Sequence, residues 1–148
     1  MEKKALLGLV AVLTLAAVAP EIGTVQYPEP AADAVWHWVT ESDPYEGWGY
    51  WPGKDAMYPG QSPHGAYLKM YANSVALKAI RDGVKPLPAG SMIMKVNYGE
   101  DRKTIKAYTP MYKVEGYNPE GGDWFWAKYT PDGQAAAAGK PKGCIECH

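Results

Sequence analysis

The sequence predicts an α+β domain with a mainly antiparallel sheet. Helix-forming stretches lie in the first half of the chain, whereas strand patterns fill the second half. The strand patterns follow one another so closely that no helical crossover fits between them, so neighbouring strands are expected to run antiparallel. At 148 residues the chain is long enough for one such domain with its own core.

The first twenty residues are predicted to be an export signal. Two lysines near the start precede a charge-free, apolar run from Ala5 to Ala19. This run is shorter than the ~20 residues of a spanning helix, which favours a cleaved signal peptide over a short membrane anchor. Residues 21–31 contain prolines without periodicity and are interpreted as a linker. We therefore expect the folded domain over residues 32–148, in the periplasm or otherwise exported.

Two short helices are predicted before the main strands. The first covers residues 32–40, which follow a proline and carry apolar side chains on one face. The second is expected between Asn73, a favourable N-cap, and Gly83, a favourable terminator. Between the two helices, residues 48–65 are rich in Gly, Pro and aromatic residues and predict ordered loops. Residues 66–71 are expected to form a short strand.

Three longer strands are predicted after the second helix. Residues 91–98 alternate, with methionines and a valine on one face and a lysine on the other. Residues 105–114 form the next strand, which Pro110 either interrupts or places at an edge, because proline donates no ladder hydrogen bond. Residues 124–129 form the third strand and end at a Pro-Asp-Gly turn. The Ala-rich residues 134–142 are expected to connect this sheet to the end of the chain.

The last five residues carry the most specific chemical signal. Cys144 and Cys147 are spaced as the two thiols that attach a c-type haem, and His148 follows as an axial iron ligand. A redox dithiol would be expected within a βαβ unit instead. Zinc needs four ligands, and the rest of the chain adds only His37 and His64. A disulfide explains the thiols but not the adjacent histidine. One covalent haem c is therefore predicted.

Several spaced motifs resemble the cytochrome P-460 family. They occur in family order from about Trp48 to His148, and the haem motif follows at the expected end. The resemblance implies a periplasmic, β-rich, commonly homodimeric protein with a His-ligated haem c and one open axial position. The motifs include Trp51-Pro52-Gly53-Lys54, Pro63-His64-Gly65, Gly116-Tyr117-Asn118-Pro119 and Gly122-Asp123-Trp124-Phe125-Trp126.

Members of this family divide into enzymes and binding proteins, and the division points to further candidate residues. The P-460 enzymes oxidise hydroxylamine at a haem that is also cross-linked to a lysine, and Lys95 matches the segment that carries this lysine. The alternative is a solvent-facing strand lysine. The enzymes also use a carboxylate as proton acceptor, for which Glu115 is the candidate, although a charged residue at a strand end often faces solvent. His64 and Tyr67 are further candidates to face the haem.

The relatives of these enzymes, the beta-type cytochromes c-prime, bind nitric oxide in an apolar pocket. The resemblance thus implies a mono-haem cytochrome that acts on hydroxylamine or nitric oxide at an open iron site. The alternative is electron transfer, because thioether ligation by Met92, Met94 or Met111 would raise the haem potential. A module without haem is a third interpretation. Expected partners are a small nitrogenous ligand and a redox protein such as another c-type cytochrome. The net charge of −1 does not favour nucleic acid.

Overall fold

The computed structural model describes residues 25–54 and 56–148, so the predicted export segment lies outside the described residues. Within this part, seven strands form one sheet in which every pair of neighbours is antiparallel. The order is β1-β3-β4-β5-β6-β7, with β2 also pairing with β3. The strands are β1 Gly49–Tyr50, β2 Tyr58–Pro59, β3 Tyr67–Ala72, β4 Met92–Tyr98, β5 Ile105–Lys113, β6 Trp124–Tyr129 and β7 Ala135–Gly139.

Short helices accompany the sheet, and none of those described is long and apolar enough to cross a membrane. The α-helices are α1 Ala32–His37, α2 Ser74–Arg81 and α3 Lys142–Ile145. A π-helical turn, Trp38–Ser42, extends α1, and single 3₁₀ turns cover Tyr45–Gly47 and Pro119–Gly121. The predicted α+β class with a mainly antiparallel sheet is confirmed.

The hydrophobic core lies between one face of the sheet and α1 with its π-helical extension. Alternation along β4 turns Met92, Met94 and Val96 to this side, where each side chain is almost completely buried. Val35 and Val39 of the helical layer are completely buried in the same cluster. Burial of these apolar side chains away from water stabilises the packing of α1 on the sheet. The opposite face of β4 is consequently free to carry polar groups.

One hydrogen bond and two aromatic contacts fix the N-terminal part of the domain. The Tyr129 hydroxyl on β6 donates a 2.7 Å hydrogen bond to the Ala32 carbonyl at the start of α1. Tyr27, within the segment interpreted as a linker, packs against Trp38 and Tyr112 at ring-centroid distances of 5.9 and 6.3 Å. The segment before α1 therefore contacts the core.

Asn73 holds the start of α2 against the sheet, as its predicted N-cap role indicates. Its side-chain oxygen accepts hydrogen bonds from the amides of Ala76 and Met92, and its Nδ2 donates to the Gly90 carbonyl. The Asn73→Ala variant would leave these buried groups without their partners. We expect the free energy of unfolding to fall by about 3 kcal/mol. Chemical denaturation measures this loss, and an unchanged midpoint would contradict the role.

The structure corrects the prediction of an edge position for Pro110 and adds strands that the sequence did not predict. Strand β5 lies between β4 and β6, so the edge alternative is wrong. Instead, Pro110 interrupts the ladder: it pairs with Met94 on β4, but the paired positions of β5 and β6 pass from Tyr108 to Met111. Strand β7 lies where a connection was expected, because β6 supplies a pairing edge for this Ala-rich segment.

Candidate haem site

A cavity of about 610 Å³ lies on the polar face of the sheet, opposite the core. Its floor comes from residues of β4, β5 and β6. On β4, alternation directs Lys95 and Asn97 to the cavity and Met94 and Val96 to the core. The loop of residues 61–65 and the segment from Pro141 to His148 contribute the remaining walls. A cavity of this size lies within the range of small-molecule and cofactor sites, ~300–1,000 Å³.

The last residues of the chain bring both thiols and the imidazole to this cavity. Helix α3 includes Cys144, and the amides of Cys147 and His148 continue the turn with bonds to the carbonyls three residues earlier. Positions i, i+3 and i+4 of a helical turn share a side, so the spacing of the motif places all three side chains together. Cys144, Cys147 and His148 all line the cavity, and neither cysteine forms a disulfide.

Neighbouring groups set the chemistry of these side chains. The His148 ring lies 4.8 Å from the ring centroid of Trp126 on β6. Burial lowers the pKa of His148, and the nearby Lys95 cation acts in the same direction, so the neutral, metal-binding form is favoured. Burial also raises the pKa of the Cys144 thiol, which favours the protonated form. A neutral imidazole together with two thiols is the donor set that a c-type haem requires.

Lys95 points into the cavity from the middle of β4. It pairs with Met70 on β3 and Thr109 on β5, so its backbone is held by strands on both sides. Burial lowers the pKa of the Lys95 ammonium, although the nearby Cys144 acts in the opposite direction. Lys95 therefore loses its proton more readily than a surface lysine does. Two further lysines, Lys106 and Lys128, line the same cavity.

His64 reaches the cavity from the loop that precedes β3. Its Nδ1 lies 3.2 Å from Oδ1 of Asn97, and that oxygen also accepts a 3.1 Å hydrogen bond from the Gly65 amide. The loop approaches β4 closely here, because a Cβ atom on Gly65 would lie 2.6 Å from the Tyr98 carbonyl oxygen. Burial lowers the pKa of His64, and Lys95 adds to this effect.

The other sequence candidates lie elsewhere. Glu115 is exposed beyond the end of β5 and does not line the cavity; among the described residues that line it, none is Asp or Glu. Tyr67 on β3 accepts a hydrogen bond from Arg102 instead of facing the cavity. Met92 and Met94 lie in the core, whereas Met111 does line the cavity. The role of Glu115 in proton transfer therefore stays a prediction without support from its position.

Sequence reasoning did not single out Asn97 and Trp126 as site residues. The alternation of β4 already placed Asn97 on the same face as Lys95, which was the available signal. Trp126 follows the same rule on β6, where its neighbours Phe125 and Ala127 belong to the core cluster. Asn97 and His64 are 33 residues apart in the sequence, so their hydrogen-bond contact forms only in the folded chain.

The lining fits a haem group. The free thiols would provide attachment and the imidazole would provide an iron ligand. Apolar groups such as Met111, Pro110 and Trp126 would contact a porphyrin, and the lysines suit its carboxylates. An α+β domain with this donor set defines a haem-binding cytochrome. The family model for cytochrome P460 matches residues 45–148, and the chain belongs to the cytochrome P460 family. No curated protein matches the chain.

Proposed function

We propose that the chain is a periplasmic, mono-haem c-type cytochrome that acts on small nitrogen species. Its haem is bound through thioether links from Cys144 and Cys147, with His148 as an iron ligand. Each link forms when a thiol S–H adds across a vinyl C=C bond, so attachment requires no net oxidation. The observation that carries this proposal is that both thiols, His148 and Lys95 line one cavity.

Hydroxylamine oxidation is the reaction that the position of Lys95 favours. The haem, when bound, supplies the iron at which hydroxylamine binds and gives up electrons, and these pass to a redox partner such as another c-type cytochrome. The partly desolvated amine of Lys95 lines the cavity, and the resemblance to P-460 enzymes implies a bond from this amine to the porphyrin. A homodimer is proposed on the same resemblance.

Nitric oxide binding is the second candidate, and a different observation favours it. Oxidising hydroxylamine releases protons that a positioned base must accept. The described residues around the cavity include no carboxylate side chain. Reversible binding of nitric oxide needs no such base. Electron transfer through Met111 and His148 is a third candidate, because Met111 lines the cavity.

Anaerobic mixing of the haem-loaded protein with hydroxylamine or nitric oxide separates these functions. Oxidation of hydroxylamine is expected to reduce an added artificial electron acceptor over many turnovers. A binding protein is expected to form a nitrosyl adduct with nitric oxide but to give no turnover. An electron-transfer protein would show neither response, together with a methionine-to-iron charge-transfer band, and that combination would contradict the proposal.

A further inference from the structure

Three lysines give the cavity a local positive charge that the chain as a whole does not have. Lys95, Lys106 and Lys128 line the cavity, and no side-chain carboxylate of the described residues does. The full chain, by contrast, has 15 basic and 16 acidic residues and a net charge of −1. A cleft lined by one sign of charge concentrates ions of the opposite sign. The lining of this cavity therefore favours anions.

The sheet register places two of these lysines in one row across the cavity floor. Lys95 on β4 pairs with Thr109 on β5. Pairs of β5 with β6 on both sides of this position keep one register, which places Thr109 opposite Lys128. Lys95 and Lys128 are thus two strands apart, with about 10 Å between their backbones. Lys106 lies three residues before Thr109, about 10 Å away along β5.

The carboxylates of a bound haem would not neutralise this row. Burial raises the pKa of the Cys144 thiol, and the Lys128 and Lys95 cations both act in the opposite direction, so both lie near this thiol. The thiols attach at the vinyl groups of haem, which lie on the porphyrin edge opposite its two carboxylates. A haem bound through Cys144 therefore directs its carboxylates away from Lys128, and Lys106 is the better placed lysine for them.

Lys128 is the cation that persists in this row. Burial lowers the pKa of Lys95, and the proposed bond from its amine to the porphyrin would remove its charge. Lys128 lines the cavity but is exposed, so its ammonium stays solvated. With no carboxylate side chain of the described residues in the lining, the charge of Lys128 acts on whatever enters the cavity.

We propose that the cavity takes up small inorganic anions and that the charge of Lys128 attracts them. The inference rests on the proposed function and narrows its ligand class: anions such as nitrite or azide are favoured over cations such as hydroxylammonium. The field of a fixed charge acts over several ångströms, so it requires no direct contact between Lys128 and the anion. It accelerates association and weakens as salt is added.

Titration of the ferric, haem-loaded protein with azide, followed by absorption, tests this proposal. At low ionic strength, Lys128→Gln is expected to bind azide roughly fivefold more weakly, the effect of one charge about 10 Å away across partly hydrated protein. Lys128→Arg keeps the charge and should bind azide as the unmodified protein does. Lys103→Gln removes the same charge from an exposed loop outside the cavity lining and is the matched control.

A neutral ligand separates the effect of charge from a change in the shape of the site. Imidazole should bind with the same affinity to the unmodified protein and to Lys128→Gln. Stopped-flow mixing with azide should give an association rate that falls with added salt in the unmodified protein and falls much less in Lys128→Gln.

Equal azide affinities of the unmodified protein and Lys128→Gln would overturn the inference, and so would an equal loss of imidazole affinity. Continued turnover of hydroxylamine in that case would leave the proposed function standing. Salt-dependent azide binding without hydroxylamine turnover or a nitrosyl adduct would refute the proposed function but support anion uptake. Failure of azide to bind at all, or isolation of the protein without haem, would refute the inference.

Discussion

Cells that produce the Cys144→Ser, Cys147→Ser double variant are expected to yield protein without any covalently bound haem. The two thiols provide the only thioether links in the proposal, and a serine hydroxyl does not replace a thiol in this addition. The unmodified protein should keep its haem through denaturing electrophoresis and show the mass of polypeptide plus haem. The double variant should show the mass of the polypeptide alone.

His148→Ala is the matched control for this prediction. It lies directly beside Cys147 and lines the same cavity, so it perturbs the same end of the chain. Attachment and axial ligation are separate constraints, and this variant is therefore expected to keep covalent haem with an altered absorption spectrum. Haem that stays with the double variant in a denaturing gel would refute covalent attachment at these cysteines. An unchanged spectrum of His148→Ala would mean that another residue is the ligand.

The fold was predictable where the spacing of residue types in the sequence matches the repeat of a strand or a helix. The alternation of β4 predicted its two faces, and the spacing of Cys144, Cys147 and His148 predicted one common site, which agrees with the cavity that all three line. Strand β7 was not predictable from its alanines, because alanine has little strand preference of its own and pairing with β6 determines the conformation. Pro110 is also compatible with the central strand β5, because it pairs with β4 while the pairing of β5 with β6 is interrupted at this position.

The site was predictable in its attachment residues but not in the residues around them. Glu115 was chosen because it follows a predicted strand, yet β5 ends at Lys113 and the side chain of Glu115 is exposed. His64 contacts Asn97, which lies on a different element, so no local spacing reveals this contact. The position of Lys95 was left open between solvent and haem edge, and the structure places it in the cavity wall.

The charged residues that line the cavity affect proton transfer and anion binding in the proposed chemistry. Lys95, Lys106 and Lys128 surround a space that receives no side-chain carboxylate from the described residues. Positive side chains favour anionic groups such as haem carboxylates in this cavity. Burial lowers the pKa values of His64 and His148, and the Lys95 cation acts in the same direction on both. The neutral form of both imidazoles is therefore favoured.

Lys95→Ala is expected to separate the enzyme from the binding protein. In the unmodified protein, we expect a covalent bond between Nζ of Lys95 and a porphyrin carbon. This bond replaces one N–H and one C–H, so its formation releases two electrons and two protons, which an oxidant such as a peroxide accepts. The neutral amine is the reactive form, and burial lowers the pKa of Lys95. Cross-linking should therefore become faster as the pH rises towards that lowered pKa.

Mass spectrometry of haem peptides provides the measurement for this last prediction. Digestion of the unmodified protein should release a haem joined both to the peptide with Cys144 and Cys147 and to the peptide with Lys95. The ferrous absorption band should be red-shifted, and hydroxylamine oxidation should occur. Lys95→Ala should lose all three properties and keep its thioether links, whereas the exposed loop control Lys103→Ala should keep all of them. Recovery of the Lys95 peptide without haem from the unmodified protein would contradict the cross-link, and nitric oxide binding or electron transfer would then be favoured.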